Sequence, residues 1–449
     1  MIIIDEALRR RAEAGKPVRV GIVGAGFMCR GIVNQIMNHT PGMVVVAIAN
    51  RTLSHAAAVW AEAGIPHCKE VSDAESLAEA FASNVAAISS NSLALCESDV
   101  IDVLVEATGH VEFGARVISA AIACGKPVVN MNAELDATVG PWLAHKAREA
   151  GVALTGCDGD QPAAQINLYR FVKTIGLEPL VCGNIKGLED RYRNPQTQAS
   201  FAKQWGQSAT MVTSFADGTK ISFEQAIVAN ATGMSVVKRG MLGLQHTGHV
   251  DELTTRFDVD ELRNLGGVVD YAVGPTPGPG VFVFAAVPEH GSASDQAMQA
   301  HYLRYGKLGD GPLYSFYTPY HLTVFEVALS IARLVLFDDL AITPIAAPCV
   351  EVLTLAKTNL STGDVIDGLG GFSTYGVCET ARKTAEQNLL PMGLAEGCVL
   401  KRDVSRDTPL CYADVTLPKG RVATQLRIEQ DQYFSTMQNS TSTSSNGLL

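Results

Sequence analysis

The chain is short of positive charge. Its 449 residues carry 35 Lys and Arg against 46 Asp and Glu, a net charge of -11 at pH 7. General nucleic-acid binding needs a basic footprint, so the net charge argues against that class, while a small anionic substrate needs only a local basic pocket. No run approaches the roughly 20 apolar residues of a membrane span. The N-terminus, Met1 to Arg11, is apolar only briefly before Asp5, Glu6 and Arg9, so no signal peptide is expected and the protein reads as cytoplasmic. The ten cysteines are scattered and form no C-x-x-C pair. They are expected as reduced thiols, many of them buried, rather than zinc ligands. Neither G-x-S-x-G nor H-E-x-x-H occurs, which removes support for hydrolase chemistry. No internal repeat stands out.

What is present is an alternation of short apolar runs and helical periods. Residues 18–23, 43–49, 102–107, 127–130 and 152–155 read as buried parallel strands, with helices at 5–14, 31–37, 54–63, 112–124 and 141–150 between or before them. That alternation predicts an α/β domain, a doubly wound parallel sheet over residues 1–155. Residues 156–345 read as an α+β substrate and dimerisation domain with an antiparallel sheet. Strands are expected at 210–215, 220–223 and 281–287, with Asp217-Gly218 as a hairpin turn. The apolar-periodic stretch 321–337 is expected as a long helix packing back on the first domain. Short strands and turns fill 346–430, and the Ser/Thr/Asn-rich 431–449 reads as a disordered tail.

Gly24-Ala25-Gly26-Phe27-Met28-Cys29 lies between a strand and a helix. In that context Gly24 permits the tight turn, Gly26 lets the backbone approach a pyrophosphate, and the helix N-terminus at Phe27 and Met28 offers free N–H groups. The pattern is the fingerprint of a Rossmann dinucleotide site. Cys29 replaces the third small residue, a packing position where a small side chain is tolerated. At the end of the second strand stands Asn50-Arg51-Thr52, with no acid for a ribose 2′-hydroxyl. Arg51 suits a 2′-phosphate, so NADP(H) is favoured over NAD(H). Thr108 and Gly109 end another strand at the sheet edge where ligands bind. Asn130, Asn132 and Glu134 follow the next strand and are placed to reach the same crevice; Glu134 is open to a catalytic, nicotinamide-positioning or helix-capping role.

The segments GIVGAGFM (21–28), VLVEATG (103–109), GKPVVNMNAELDATVGP (125–141) and GCDGDQPA (156–163) together resemble the homoserine-dehydrogenase-like oxidoreductases. More narrowly they resemble the 1-deoxy-D-xylulose 5-phosphate reductoisomerase-like branch. AIVANATG (226–233), VVDYAVG (268–274), PGPGVFV (277–283) and TPYHLTVFEV (318–327) extend the likeness. AKTNLSTGDVID (356–367) and LPMGLAEGCVLKRDVSRDTPLCYADV (390–415) look like a SAF domain, a small β-clip module. The resemblance implies a homodimer that reduces a small hydroxy-carbonyl compound with NADPH. The branch's known chemistry rearranges 1-deoxy-D-xylulose 5-phosphate and reduces the product, a step of isoprenoid biosynthesis.

Carbonyl reduction needs a cation or proton donor at the developing oxyanion. Lys186 in GNIKG (183–187) is the first candidate, with Asp160 and Glu134 as further catalytic candidates. A reductoisomerase also calls for a divalent cation, Mg2+ or Mn2+, with Asp158, Asp160 and Glu224 as candidate ligands. Arg191, Arg193, Lys220, Arg239 and His321 are available for a substrate phosphate, and His246 and His249 read as loop residues rather than zinc ligands. Three functions stay open: the NADPH-dependent reductase, a homoserine-dehydrogenase-type oxidoreductase, and a non-catalytic dinucleotide sensor or carbohydrate-binding protein.

Overall fold

The computed structural model describes residues 3–444. Strands β1 (Val18–Val23), β2 (Met43–Ala49), β3 (Cys68–Glu70), β4 (Ala86–Ser89), β5 (Val103–Glu106), β6 (Val128–Asn130) and β7 (Leu154–Gly156) form one seven-stranded sheet in the order β3-β4-β2-β1-β5-β6-β7. Every pairing in it is parallel. Such a sheet must be covered on both faces, which is why its central strands are apolar along nearly their whole length. The chain winds outward from β1 to β3, then returns to lay β5 beside β1. That reversal opens a crevice at the carboxyl ends of β1 and β5, the place where doubly wound sheets bind ligands.

A second sheet, ordered β12-β11-β8-β10-β9, contains β8 (Glu178–Lys186), β9 (Leu244–Gln245), β10 (Val268–Val273), β11 (Gly280–Ala286) and β12 (Leu313–Thr318). It is mixed rather than antiparallel: β10 runs parallel to β8 and β9, whereas β11 is antiparallel to β8 and β12. Parallel neighbours need a long crossover, and helices supply it between β8 and β10. The expected strands at 210–215 and 220–223 belong to that crossover. They are the helices Ala209–Ala216 and Thr219–Thr232, and Asp217-Gly218 is their joint, not a hairpin. Gly218 takes φ 84° there, and the Asp217 carboxylate accepts from the Thr219 N–H at 2.9 Å. Short apolar runs do not distinguish a buried helix from a strand, and a left-handed glycine serves either kind of turn.

The expected long helix is Thr323–Phe337, packed on the helix Phe27–His39. A Cβ on Gly31 would lie 2.9 Å from a Val324 methyl, so the glycine permits the close approach. Arg333 on this helix is buried. It donates to Asp158 at 2.8 Å and pairs with Asp339 at 2.8 Å, clamping the helix to the turn after β7.

Beyond it, β13 (Val350–Ala356) pairs antiparallel with β14 (Thr374–Thr380), and β15 (Val399–Leu400) with β16 (Val415–Thr416). The chain then enters the helix Val422–Ser444, which replaces the disorder expected from residue 431; residues 445–449 lie outside the described residues. Packing explains the difference. Glu112 accepts from the Val422 and Ala423 N–H groups at 3.0 Å, and Trp142 donates to Glu429 at 2.9 Å. Tyr433, tilted, and Phe434, edge-on, also pack against the Trp142 ring. Among the described residues no helix is long and apolar enough to cross a membrane.

The Arg333 clamp gives a direct test. Arg333→Leu should leave Asp158 buried without its cation and destabilise the protein by about 3 kcal/mol, read as a lowered urea midpoint.

Candidate functional site

The dinucleotide turn is built as the sequence pattern requires. Gly24 follows β1 with φ 107°, and a Cβ there would lie 2.8 Å from the Ala107 carbonyl oxygen. Only glycine allows the β1 and β5 ends to meet this closely. A Cβ on Gly26 would meet nothing within 4 Å, so space opens in front of the turn. Gly26 is also the N-cap of the helix Phe27–His39, and no side chain caps that end. Its first N–H groups and its positive dipole end face the open space, the arrangement that receives a pyrophosphate. These features fit a nicotinamide dinucleotide: the turn and the first helical residues, Phe27 and Met28, would hold its phosphates. Cys29 is fully buried, and burial pushes its thiol pKa up to about 12, so it is a neutral packing group.

Arg51 sits just past the end of β2, exposed and, among the described residues, without an ion-pair partner. Thr108 and Gly109 close the crevice from the β5 side. The Thr108 amide and hydroxyl both donate to the Glu106 carboxylate. Glu106, the last residue of β5, is fully buried, and burial raises its pKa to about 7. Asn132 departs from its expected place. It is fully buried, and its side chain accepts from the Leu135 N–H at 3.1 Å as the cap of the helix Ala133–Glu149. A Cβ on Gly114 would lie 2.8 Å from the Asn132 amide nitrogen and 3.3 Å from the Glu106 carboxylate, so the Asn132 side chain is packed between the two.

Where the first sheet's carboxyl edge meets the second sheet, buried charges alternate in sign. Lys186, at the end of β8, lies 3.6 Å from the Glu224 carboxylate. Four residues earlier on the same helix, Lys220 donates to Glu134 at 3.0 Å. Burial alone would lower the Lys220 pKa, but Glu134, Asp160 and Glu224 outweigh it and hold the ammonium above its ordinary value. Glu224 is 1% exposed; burial, partly offset by Lys186, raises its pKa to about 7. Asn184 donates to it at 2.9 Å. Gln161 completes the set: with its amide nitrogen turned toward Glu224 it donates to that carboxylate at 2.7 and 3.0 Å, which leaves its oxygen 3.2 Å from His321 Nε2. Burial lowers the pKa of the His321 imidazole, whose Nδ1 contacts the Gly159 carbonyl at 3.2 Å. Asp160, half-buried, caps the helix Gln161–Thr174 by accepting from the Gln161 N–H at 3.1 Å.

Lys186, Glu224, Asp160, Glu134, Lys220 and His321 are thus gathered into one neighbourhood. Glu134 is 3% exposed and committed to Lys220, which makes it a supporting carboxylate. The expected metal set does not form. Asp158 is fully buried, and its oxygens accept from Arg333, Asn167 and Ser330 at 2.8 to 2.9 Å. Asp158 is therefore held for packing, and among the described residues no group of three or more His, Cys, Asp or Glu is placed to hold a metal ion. Three of the candidate phosphate contacts are also engaged: Arg191 with Glu189, Arg193 with Asp190 and Arg239 with Glu379. His246 and His249 pair with Glu252 and Asp251.

Glu106, Asn184 and Gln161 were not singled out from sequence. Glu106 was signalled only by an acid ending an apolar strand, and Asn184 by its place two residues before Lys186. Gln161 looked like an ordinary first helical residue.

Residues 24–155 match the family model described as Homoserine dehydrogenase, NAD binding domain, and residues 159–327 match the one described as Oxidoreductase DRL, catalytic domain. No curated protein matches the chain. Among solved structures, an oxidoreductase from Agrobacterium radiobacter in complex with NAD+, L-tartaric acid and magnesium is 16% identical, with a TM-score of 0.28; the match covers 38% of this chain and 45% of that one. A probable dehydrogenase from Thermotoga maritima is 12% identical over 73% of this chain and 91% of that one, with a TM-score of 0.37. 1-Deoxy-D-xylulose 5-phosphate reductoisomerase from Zymomonas mobilis in complex with NADPH is 21% identical over 46% of this chain and 57% of that one, with a TM-score of 0.33. With its dinucleotide turn, its uncapped helix and these two matched domains, the chain is an NAD(P)-dependent oxidoreductase whose NAD-binding domain, of the homoserine dehydrogenase type, precedes an oxidoreductase catalytic domain.

Proposed function

We propose that the protein uses NADPH to reduce the carbonyl of a small hydroxy-carbonyl compound, with a sugar phosphate such as 1-deoxy-D-xylulose 5-phosphate as the substrate to test first. The observation that carries this reading is the Lys186–Glu224 pair, 3.6 Å apart and grouped with Glu134 and Asp160, which follow strands of the sheet that bears the dinucleotide turn. The sugar-phosphate part rests on the sequence motifs. The same proposal takes residues 346–430 as a SAF-like β-clip module and the working unit as a homodimer.

When bound, the nicotinamide supplies a hydride to the carbonyl carbon. The Lys186 ammonium is the group suited to neutralise charge growing on the carbonyl oxygen and to deliver a proton to it. Hydride on carbon and proton on oxygen together give the alcohol. Glu224 holds the Lys186 ammonium in place, and Asn184 and Gln161 fix Glu224 in turn. Lys220 adds a second positive charge one helical turn away. After the transfer the lysine takes its replacement proton from solvent. Cofactor choice follows from Arg51, whose free guanidinium suits a 2′-phosphate. The scheme asks nothing of Asp158, whose carboxylate is committed to Arg333, Asn167 and Ser330.

Lys186→Ala should lower kcat about 100-fold or more while NADPH binding stays within about twofold, measured as NADPH oxidation with 1-deoxy-D-xylulose 5-phosphate and with unphosphorylated hydroxyketones. If the variant turns over like the wild type, the role given to Lys186 is wrong.

Arg51→Ala should weaken NADPH about tenfold and leave NADH unchanged, read by fluorescence titration. An unchanged ratio of the two affinities would remove the argument for NADPH.

The pH dependence follows from Glu224, whose pKa is raised from 4.5 to about 7. Below that value the carboxyl is protonated and Lys186 loses its counter-charge, so kcat/KM should fall as pH drops through about 7. Glu106 titrates in the same range, and Glu224→Gln separates the two: it should remove the acid limb of kcat/KM.

A further inference from the structure

Neither matched family domain extends past residue 327, yet the chain beyond it packs on the helix Ala209–Ala216, which neighbours Gly109. Lys357, just after β13, is 2% exposed at its side chain. Its ammonium donates to three oxygens at 2.8 Å each: the Arg193 carbonyl, the Gly371 carbonyl and the Asp217 carboxylate. A buried ammonium is tolerated only when its donors are satisfied in this way. Asp217 is the last residue before Gly218 and so closes the helix Ala209–Ala216. The same helix is gripped at its other end. Gly370, at φ 63°, lies so close that a Cβ would be 1.9 Å from the Thr210 carbonyl oxygen and 2.9 Å from the Ser214 nitrogen. Between these grips stands Met211, whose terminal methyl is 3.5 Å from where a Cβ on Gly109 would be. Gly109 follows Thr108 at the β5 end of the crevice.

We propose that Met211 forms a wall of the dinucleotide cleft, supplied from outside the NAD-binding domain, and that Lys357 and Gly370 of the C-terminal segment hold it there. Met211 contributes apolar surface, and its thioether adapts to the face of a bound ring. Lys357 and Gly370 are positioning residues: they touch the helix that carries Met211. The joint at Asp217-Gly218 also begins the helix bearing Lys220 and Glu224, with Thr219 accepting from the Gly376 N–H of β14 at 2.9 Å. One segment therefore fixes both the cofactor wall and the start of the charged helix.

This inference rests on the dinucleotide site alone, not on the choice of carbonyl substrate. The test is NADPH titration of the full chain by fluorescence, with urea unfolding of each variant alongside. Met211→Ala should weaken NADPH about fivefold. Lys357→Met should do the same, and Asp217→Asn, which keeps the shape of the carboxylate, serves if Lys357→Met does not fold. The double variant Met211→Ala/Asp217→Asn should bind NADPH no more weakly than Met211→Ala, because both changes remove the same wall. A purely structural role for Asp217 would instead give losses that add. Wild-type NADPH affinity in Met211→Ala overturns the proposal. Wild-type affinity in folded Asp217→Asn, with Met211→Ala impaired, overturns the role of the C-terminal segment. If this binding pattern holds while no ketose phosphate is reduced, the substrate assignment fails and the cleft wall stands.

Discussion

Two lysines share a buried corner with the carboxylates of Glu134, Asp160 and Glu224, and the arrangement of the elements that meet there depends on their mutual neutralisation. A single ammonium or carboxylate at such depth would give up its charge or unfold its surroundings. Alternation solves this: Glu134 faces Lys220 at 3.0 Å and Glu224 faces Lys186 at 3.6 Å. The arrangement is not fully neutral in effect. Glu224 is left with a pKa near 7, poised to change charge in the range where a reductase handles protons.

The corner is assembled by topology more than by any one element. Glu134 follows β6, Asp160 follows β7, Lys186 ends β8, and Lys220 and Glu224 occupy successive turns of one helix. The parallel strands β6 and β7 put Glu134 and Asp160 on one edge, and the second sheet and its crossover helix bring Lys186, Lys220 and Glu224 to it. The second sheet is mixed because its parallel pair, β8 and β10, must be joined by a crossover. That crossover is the helical stretch carrying Met211, Lys220 and Glu224. The feature that overturned the hairpin expectation is therefore the one that delivers these residues to the site.

The remaining buried ion pairs work as clamps between elements. Arg333 holds the helix Thr323–Phe337 to Asp158, Lys357 holds the C-terminal segment to Asp217, and Arg427 on the last helix reaches Glu351 of β13 at 2.7 Å. Each pairs residues more than 70 positions apart in sequence. Asp158 shows how a clamp looks like a site from sequence: an acid in a glycine-flanked turn near the cleft, whose partner lies 175 residues away.

By itself the sequence determined the parallel sheet, the dinucleotide turn at Gly24 and Gly26, and the exposed cation at Arg51. These are local matters: apolar runs of strand length, glycines where the backbone needs them, and a charge beside a strand end. It also pointed to Lys186 through its glycine-rich loop and family likeness, and to Asp160 and Glu224 as acids near the domain junction. Tertiary structure alone decided which acid meets which base. It took Asp158 for Arg333, gave Glu134 to Lys220, turned Asn132 inward as a cap, and brought Glu106, Asn184 and Gln161 into the site. It also turned 210–223 into helices and drew the last helix onto Trp142. The physical reason is the same throughout: the energy of a buried charge or ring is set by its neighbours in space, and those neighbours come from distant parts of the chain.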